Sequence, residues 1–235
     1  MSSIIDIFNL IFYQPLLQAL ILLYKYLPGH DFGVAVIALT VLIKLALYPL
    51  GVKGIRSQKA LQELQPRIKE IQNRLKDDKA KQTKEVMELY KKEKVNPFSG
   101  LLLLLVQLPI LFALFRVFSK GFEGMGEINT TFFGFMDLAD KSTILVILAG
   151  LAQFWQAKTQ APASIPLRGT SAGKPSAPDF SSMMQKQMLY FFPLFTVFIL
   201  WKMPAAIALY WLVTTLFTIG QQYIILKKKK ENVAG

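Results

Sequence analysis

The chain has 235 residues, 53% of them hydrophobic, and carries 27 Lys and Arg against 15 Asp and Glu, a formal net charge of +12. It holds no cysteine and a single histidine, His30, which excludes disulfides, thiolate metal sites and histidine clusters for zinc or haem. The apolar residues gather in runs of 16 to 22 with the charges between them, and a run near 20 residues matches a hydrocarbon core about 30 Å thick at about 1.5 Å per helical residue. A basic chain points first to nucleic acid, but this placement makes the charge a topology signal and implies no nucleic-acid sequence partner.

Taken in order, the chain reads as an all-α polytopic membrane protein. In residues 1–30, Asp6, Asn9, Gln14, Gln18 and Lys25 recur at roughly helical spacing around Pro15, which predicts an amphipathic helix in the outer interface. A sixth span and a signal peptide are the alternatives; the latter lacks a positive leading region and a convincing cleavage site. The first transmembrane helix is expected over 31–53. Residues 54–96 are polar, yet Leu61, Leu64, Ile68, Ile71 and Leu75 are spaced 3, 4, 3, 4, a heptad seam. Asp77 and Asp78 interrupt it, and Thr83, Met87 and Tyr90 form a weaker second stripe. The pattern predicts a cytosolic helical hairpin.

A second transmembrane helix follows over 97–118, an outer loop over 119–141 and a short third helix over 142–157. Residues 158–187 hold Pro162, Pro166, Pro175 and Pro178 among Ala, Ser and Gly, the composition of a flexible cytosolic loop. Its stretch Gly169 to Pro175 resembles a phosphate-binding loop but has the wrong glycine spacing, and Pro175 stands where Ser or Thr is needed. The fourth and fifth helices form a hairpin over 188–226, broken at Pro204, and 227–235 is a basic tail. The predicted total is five transmembrane helices plus the interfacial helix and the cytosolic hairpin.

Charge sets the orientation. Residues 53–96 carry 13 Lys and Arg against 7 Asp and Glu; with 158–187 and the tail they hold 21 of the 27 basic residues. The positive-inside rule therefore puts the N-terminus outside and the C-terminus in the cytosol.

Polar residues inside the runs narrow the function. Lys44 reads as central in the first span, where a lysine costs about 2.5–3.5 kcal/mol on insertion scales and is functional by default. Thr40 lies one turn before it on the same face. Gln107 is mid-span in the second helix, and Gln153 and Gln156 are late in the third. Thr214, Thr218 and Gln221 share a face of the fifth, with Thr215 beside them. Each alone is accounted for by an interhelical hydrogen bond. Beside a lysine with no Asp or Glu within the apolar runs, together they point to a hydrated cavity. Arg116 reads as snorkelling to the outer interface. Trp155, Trp201, Trp211, Tyr48 and Tyr210 read as interface belts. No nucleophile–base pair, metal cluster or cofactor motif stands out, so the expectation is a protein that is not an enzyme.

The order of motifs is similar to that of a known family. Val41-Leu42-Ile43-Lys44 and Tyr48-Pro49-Leu50 are followed by Leu64-Gln65-Pro66, Leu89-Tyr90-Lys91-Lys92 and Val95-Asn96-Pro97. Then come Gln107-Leu108-Pro109-Ile110, Leu209-Tyr210-Trp211-Leu212-Val213 and Gln221-Gln222. This resembles the YidC family of bacterial membrane-protein insertases, in its small form without a large periplasmic domain, over nearly the whole chain. The resemblance implies a plasma-membrane insertase and chaperone with a hydrophilic groove open to the cytosol and to lipid. The groove would contain Lys44, Thr40, Gln107, Gln153, Gln156, Thr214, Thr215, Thr218 and Gln221. It implies nascent membrane proteins and the bilayer as partners, and the Sec translocon and the ribosome as candidates. Lys44 stands where the family usually has Arg; it keeps the charge and loses the bidentate fork. The rival readings are a small-solute transporter with an anion site at Lys44, against which the lack of an internal repeat speaks, and a scaffold that binds membrane proteins without inserting them.

Overall fold

The computed structural model describes residues 2–96, 99–120, 128–159, 190–191 and 193–234. The loop predicted over 158–187 lies outside the described residues beyond Thr159, as does the stretch 121–127 of the outer loop.

The N-terminal helix runs as α1 (Ser2–Phe8), a π-helical turn (Asn9–Tyr13) and α2 (Gln14–Tyr26). Pro15 is the second residue of α2, one residue beyond the π turn, where a residue that cannot donate is tolerated in the first turn of a helix. Ile5, Ile7, Leu10, Ile11 and Leu22 are exposed, an apolar surface suited to lipid. The chain then turns through Gly29, whose φ of 85° suits a residue without a Cβ. Asp31 caps α3 (Phe32–Ala46): its Oδ1 accepts from the Val34 N–H at 2.9 Å, and its Oδ2 accepts from Phe133 N–H at 2.5 Å.

The span expected as one helix over 31–53 is broken. α3 stops at Ala46, α4 (Tyr48–Arg74) starts one residue later, and the two are bent by 67°. Pro49 supplies the reason: it has no N–H to give to Leu45, and its ring crowds that carbonyl. α4 then runs on as the first arm of a hairpin, and α5 (Lys79–Lys92) returns along it, capped by Asp78, whose Oδ1 accepts from Lys81 N–H at 3.0 Å. Leu61, Leu64 and Ile68 of the heptad seam are buried against Val86 and Tyr90, forming a core of their own. The second stripe is shifted from the predicted one. Gln82, Val86 and Tyr90 face α4, while Met87 is exposed. Gln82 is tolerated there because its Nε2 donates to the Gln72 carbonyl at 3.0 Å.

The remaining elements are α6 (Ser99–Lys120), a two-stranded antiparallel ribbon of β1 (Thr131–Phe132) and β2 (Met136–Asp137), α7 (Thr143–Thr159), a helix α8 over residues 193–200 and α9 (Ala205–Ala234). α9 is the hub, packed against α3, α4, α6 and α7. Its first residues, Ala205 to Tyr210, are all buried. Their free N–H groups are met from the outer loop: Ala205 donates to the Asp140 carbonyl at 2.7 Å and Ala206 to that of Leu138 at 3.0 Å. Small residues line the helix contacts, among them Ala35, Ala113, Ala149 and Gly150, as close packing in lipid requires. Gly150 lies against Val197, and Gly33 against the Phe132 ring; a Cβ at either position would overlap its neighbour.

The bundle is apolar on both faces. Leu105, Leu108, Phe112 and Phe115 form an exposed stripe on α6, and Ile144, Ile147, Leu148, Leu151 and Trp155 are exposed on α7. Helices apolar all round belong in a membrane. Among the described residues, two helices are long and apolar enough to cross a bilayer, Ile5–Tyr26 and Ala205–Lys227, and three if the bent α3–α4 pair counts as one.

Candidate functional site

Lys44 lies in the last turn of α3, two residues from its end at Ala46. It is therefore at the elbow, not at the centre of a helix as its position in the apolar run implies. The break at Pro49 moves it there, close to the carbonyl end of the α3 dipole, which favours a cation. Its Nζ donates to Thr218 Oγ1 at 3.3 Å. Thr218 donates its own hydroxyl proton to the Thr214 carbonyl at 2.8 Å, so its lone pairs face the amine. An ammonium has three donors, and Thr218 supplies one acceptor. Among the described residues no carboxylate pairs with Lys44; the ion pairs, Arg67–Glu93, Arg74–Glu85 and Lys81–Asp78, all lie in the hairpin. The lysine as a whole is only partly buried.

The other predicted site residues sort into separate contacts, four of the six involving α9. Gln107 of α6 donates from Nε2 to the Tyr210 hydroxyl. Gln153 of α7 accepts from Trp211 Nε1 at 2.8 Å. Thr215 is buried and donates to the Trp211 carbonyl at 2.8 Å, and Thr40 is buried and donates to the Val36 carbonyl at 2.7 Å. These two threonines satisfy themselves within their own helices. Gln221 is buried and donates from Nε2 to the Tyr48 carbonyl at 3.1 Å. Gln156 offers its backbone carbonyl to the Thr159 hydroxyl at 2.8 Å. The structure thus joins Lys44 to Thr218 and Thr218 to the Thr214 carbonyl, ties Gln107, Gln153 and Gln221 to or from α9, and leaves Thr40 and Gln156 bonded within α3 and α7.

Four residues take places that a single sequence does not reveal. Tyr210, read as an interface residue, is only 2% exposed and is the largest fully buried side chain among the described residues. Trp211, also read as a belt residue, is the donor to Gln153. Gln222 is buried and accepts from the Thr159 hydroxyl at 3.0 Å. Arg116 is not simply snorkelling: its Nη1 donates to Asn9 Oδ1 at 2.6 Å and its guanidinium lies 5.0 Å from the centre of the Tyr13 ring. The π turn presents both partners, Asn9 and Tyr13, to it.

Helices apolar on their outer faces, with polar side chains turned onto one central helix, define an all-α integral membrane protein. The family model described as 60Kd inner membrane protein matches residues 22–232. The chain is 38% identical over 200 residues to a protein of Fusobacterium nucleatum named membrane protein insertase YidC, covering 84% of this chain and 87% of that protein. Proteins of the same name from Wigglesworthia glossinidia brevipalpis and Syntrophus aciditrophicus are 36% and 34% identical over 219 and 217 residues, or 93% and 92% of this chain. The chain spans 37% and 36% of the length of those two. The chain belongs to the 60Kd inner membrane protein family, the family of the YidC insertases.

Proposed function

We propose that the chain is a membrane-protein insertase that works without covalent chemistry. Lys44 and the polar groups of α9 would hold the polar, often acidic, leading segment of a nascent protein part-way into the bilayer. That contact replaces some of the water the segment must shed. The substrate's apolar helix then passes into lipid along the exposed faces of α7 and α9, driven by apolar burial. The observation that carries this reading is a partly exposed Lys44 whose one protein partner among the described residues is the Thr218 hydroxyl, in a chain whose relatives bear the name insertase.

In this reading five helices cross the plasma membrane, the N-terminal helix lies along the outer interface against Arg116, and the hairpin, the 158–187 loop and the tail lie in the cytosol. The concentration of 21 of 27 basic residues in those three segments supports that orientation. The groove of the nine residues from Thr40 to Gln221 would open to the cytosol and to lipid. Nascent membrane proteins are the substrates, received near the basic hairpin, with the Sec translocon and the ribosome as further partners.

The test compares Lys44→Arg with Lys44→Ala in a strain depleted of its own insertase. Arg is expected to support insertion as the parent does, and Ala to impair substrates with acidic leading segments more than neutral ones. Equal rescue of every substrate by Ala would remove the charge from the mechanism.

A further inference from the structure

The joint between α3 and α4 is a single residue, Leu47, between helices of 15 and 27 residues set 67° apart. The hairpin beyond it has its own core, separate from that of the bundle. Its direction therefore depends on what grips the joint from outside. α9 does so on both sides of the break. Thr218 takes the Lys44 amine at the end of α3. One turn further along α9, Gln221 donates to the Tyr48 carbonyl at the start of α4. Gly51 makes the second grip possible. A Cβ there would lie 2.8 Å from Gln221 Nε2 and 2.9 Å from Oε1, so the amide occupies the space a side chain would take. Gln221 is 5% exposed, and a buried amide bond of this kind fixes direction as well as distance. α4 also packs along α6; the bond from Gln221 adds a fixed angle at the joint itself.

We propose that Gln221 is a positioning residue, seated on Gly51, that holds the elbow between α3 and α4 and so sets the place of the hairpin relative to Lys44. Its importance for insertion rests on the function proposed above; its mechanical role does not. α4 is about 40 Å long, so a change of about 10° at the joint moves the hairpin tip by roughly 7 Å.

The experiment uses the full chain in lipid nanodiscs. Because the chain has no cysteine, spin labels are placed by paired substitutions: Glu88→Cys with Leu151→Cys reports hairpin to bundle, and Leu151→Cys with Leu216→Cys reports α7 to α9 as the reference. Gln221→Leu, which keeps the bulk and removes the donor, is expected to shift or broaden the first distribution by several Å while the reference stays fixed. Gly51→Ala is expected to do the same by displacing the amide. An unchanged hairpin distance in Gln221→Leu would overturn the proposal, as would equal broadening of both distances, which marks general loosening. The same variants are assayed for insertion. A moved hairpin with undiminished insertion leaves the latch standing and removes the elbow from the proposed function.

Discussion

Replacing Ile68 by Ala tests whether the hairpin is held by its own core. Ile68 is fully buried between Leu61 and Leu64 of the same helix and Val86 and Tyr90 of the other. Removing its outer carbons from such a site costs about 2–5 kcal/mol, transfer and cavity together. Little is available to compensate. The ion pairs Arg67–Glu93 and Arg74–Glu85 have side chains more than a third exposed, and such pairs contribute roughly 0.2–1 kcal/mol each. α5, with 14 residues, is too short to be a stable helix alone in water. The opening equilibrium of α5 should therefore rise about thirtyfold or more, at about 1.4 kcal/mol per factor of ten. Amide hydrogen exchange read by mass spectrometry on the protein in nanodiscs is expected to show faster exchange across 79–92, with α7 and the first half of α9 unchanged. Unaltered exchange in α5 would refute a separate hairpin core, and loss of protection throughout would refute its independence from the bundle.

Tyr90→Phe should act in the opposite sense. The Tyr90 hydroxyl is buried with no hydrogen-bond partner among the described residues, so its loss should leave the hairpin as stable or more stable by up to about 3 kcal/mol, measured by the same exchange. Burial raises the Tyr90 pKa above its ordinary 10.0, so above about pH 10 the unfolded chain ionises first and parental hairpin stability falls; the Phe variant should lose that Tyr90 component of the fall. Asn9→Ala and Arg116→Ala should each loosen the π turn from α6, and because both break one bond, the double variant should be little worse than either. A hydrogen bond to a charged group is worth about 1.5–3 kcal/mol, and a double-mutant cycle on exchange in residues 5–13 reads that coupling.

The parts of this molecule legible in its sequence are those encoded by contiguous or periodic residues. The apolar runs mark helices because lipid demands them without interruption, and Leu61, Leu64 and Ile68 mark a buried seam because their spacing follows the helix turn. The facing stripe was harder to read. Gln82 occupies one of its three places, and a polar residue at a buried position hides the period that Val86 and Tyr90 otherwise show. Pro49 is visible as an interruption, but whether a proline kinks a helix or starts a new one depends on what receives the next arm. Here Gln221 and Gly51, far along the chain from each other, do so. The same holds for Arg116 with Asn9 and for Gln107 with Tyr210, whose separations of 107 and 103 residues leave no local trace. Its position near the end of a run makes Tyr210 look interfacial, although it lies buried in the bundle with Gln107 of α6 donating to its hydroxyl.

The central claim is that the polar face of α9 beside Lys44 is wet and opens only to the cell interior. The direct measurement places a single cysteine at Thr214, Gln107 or Gln153 and exposes sealed vesicles of each orientation to a membrane-impermeant thiol reagent. Labelling from the cytosolic side alone is the predicted result. Absence of labelling from either side would contradict the claim, and access from both sides in alternation would replace it with a transporter.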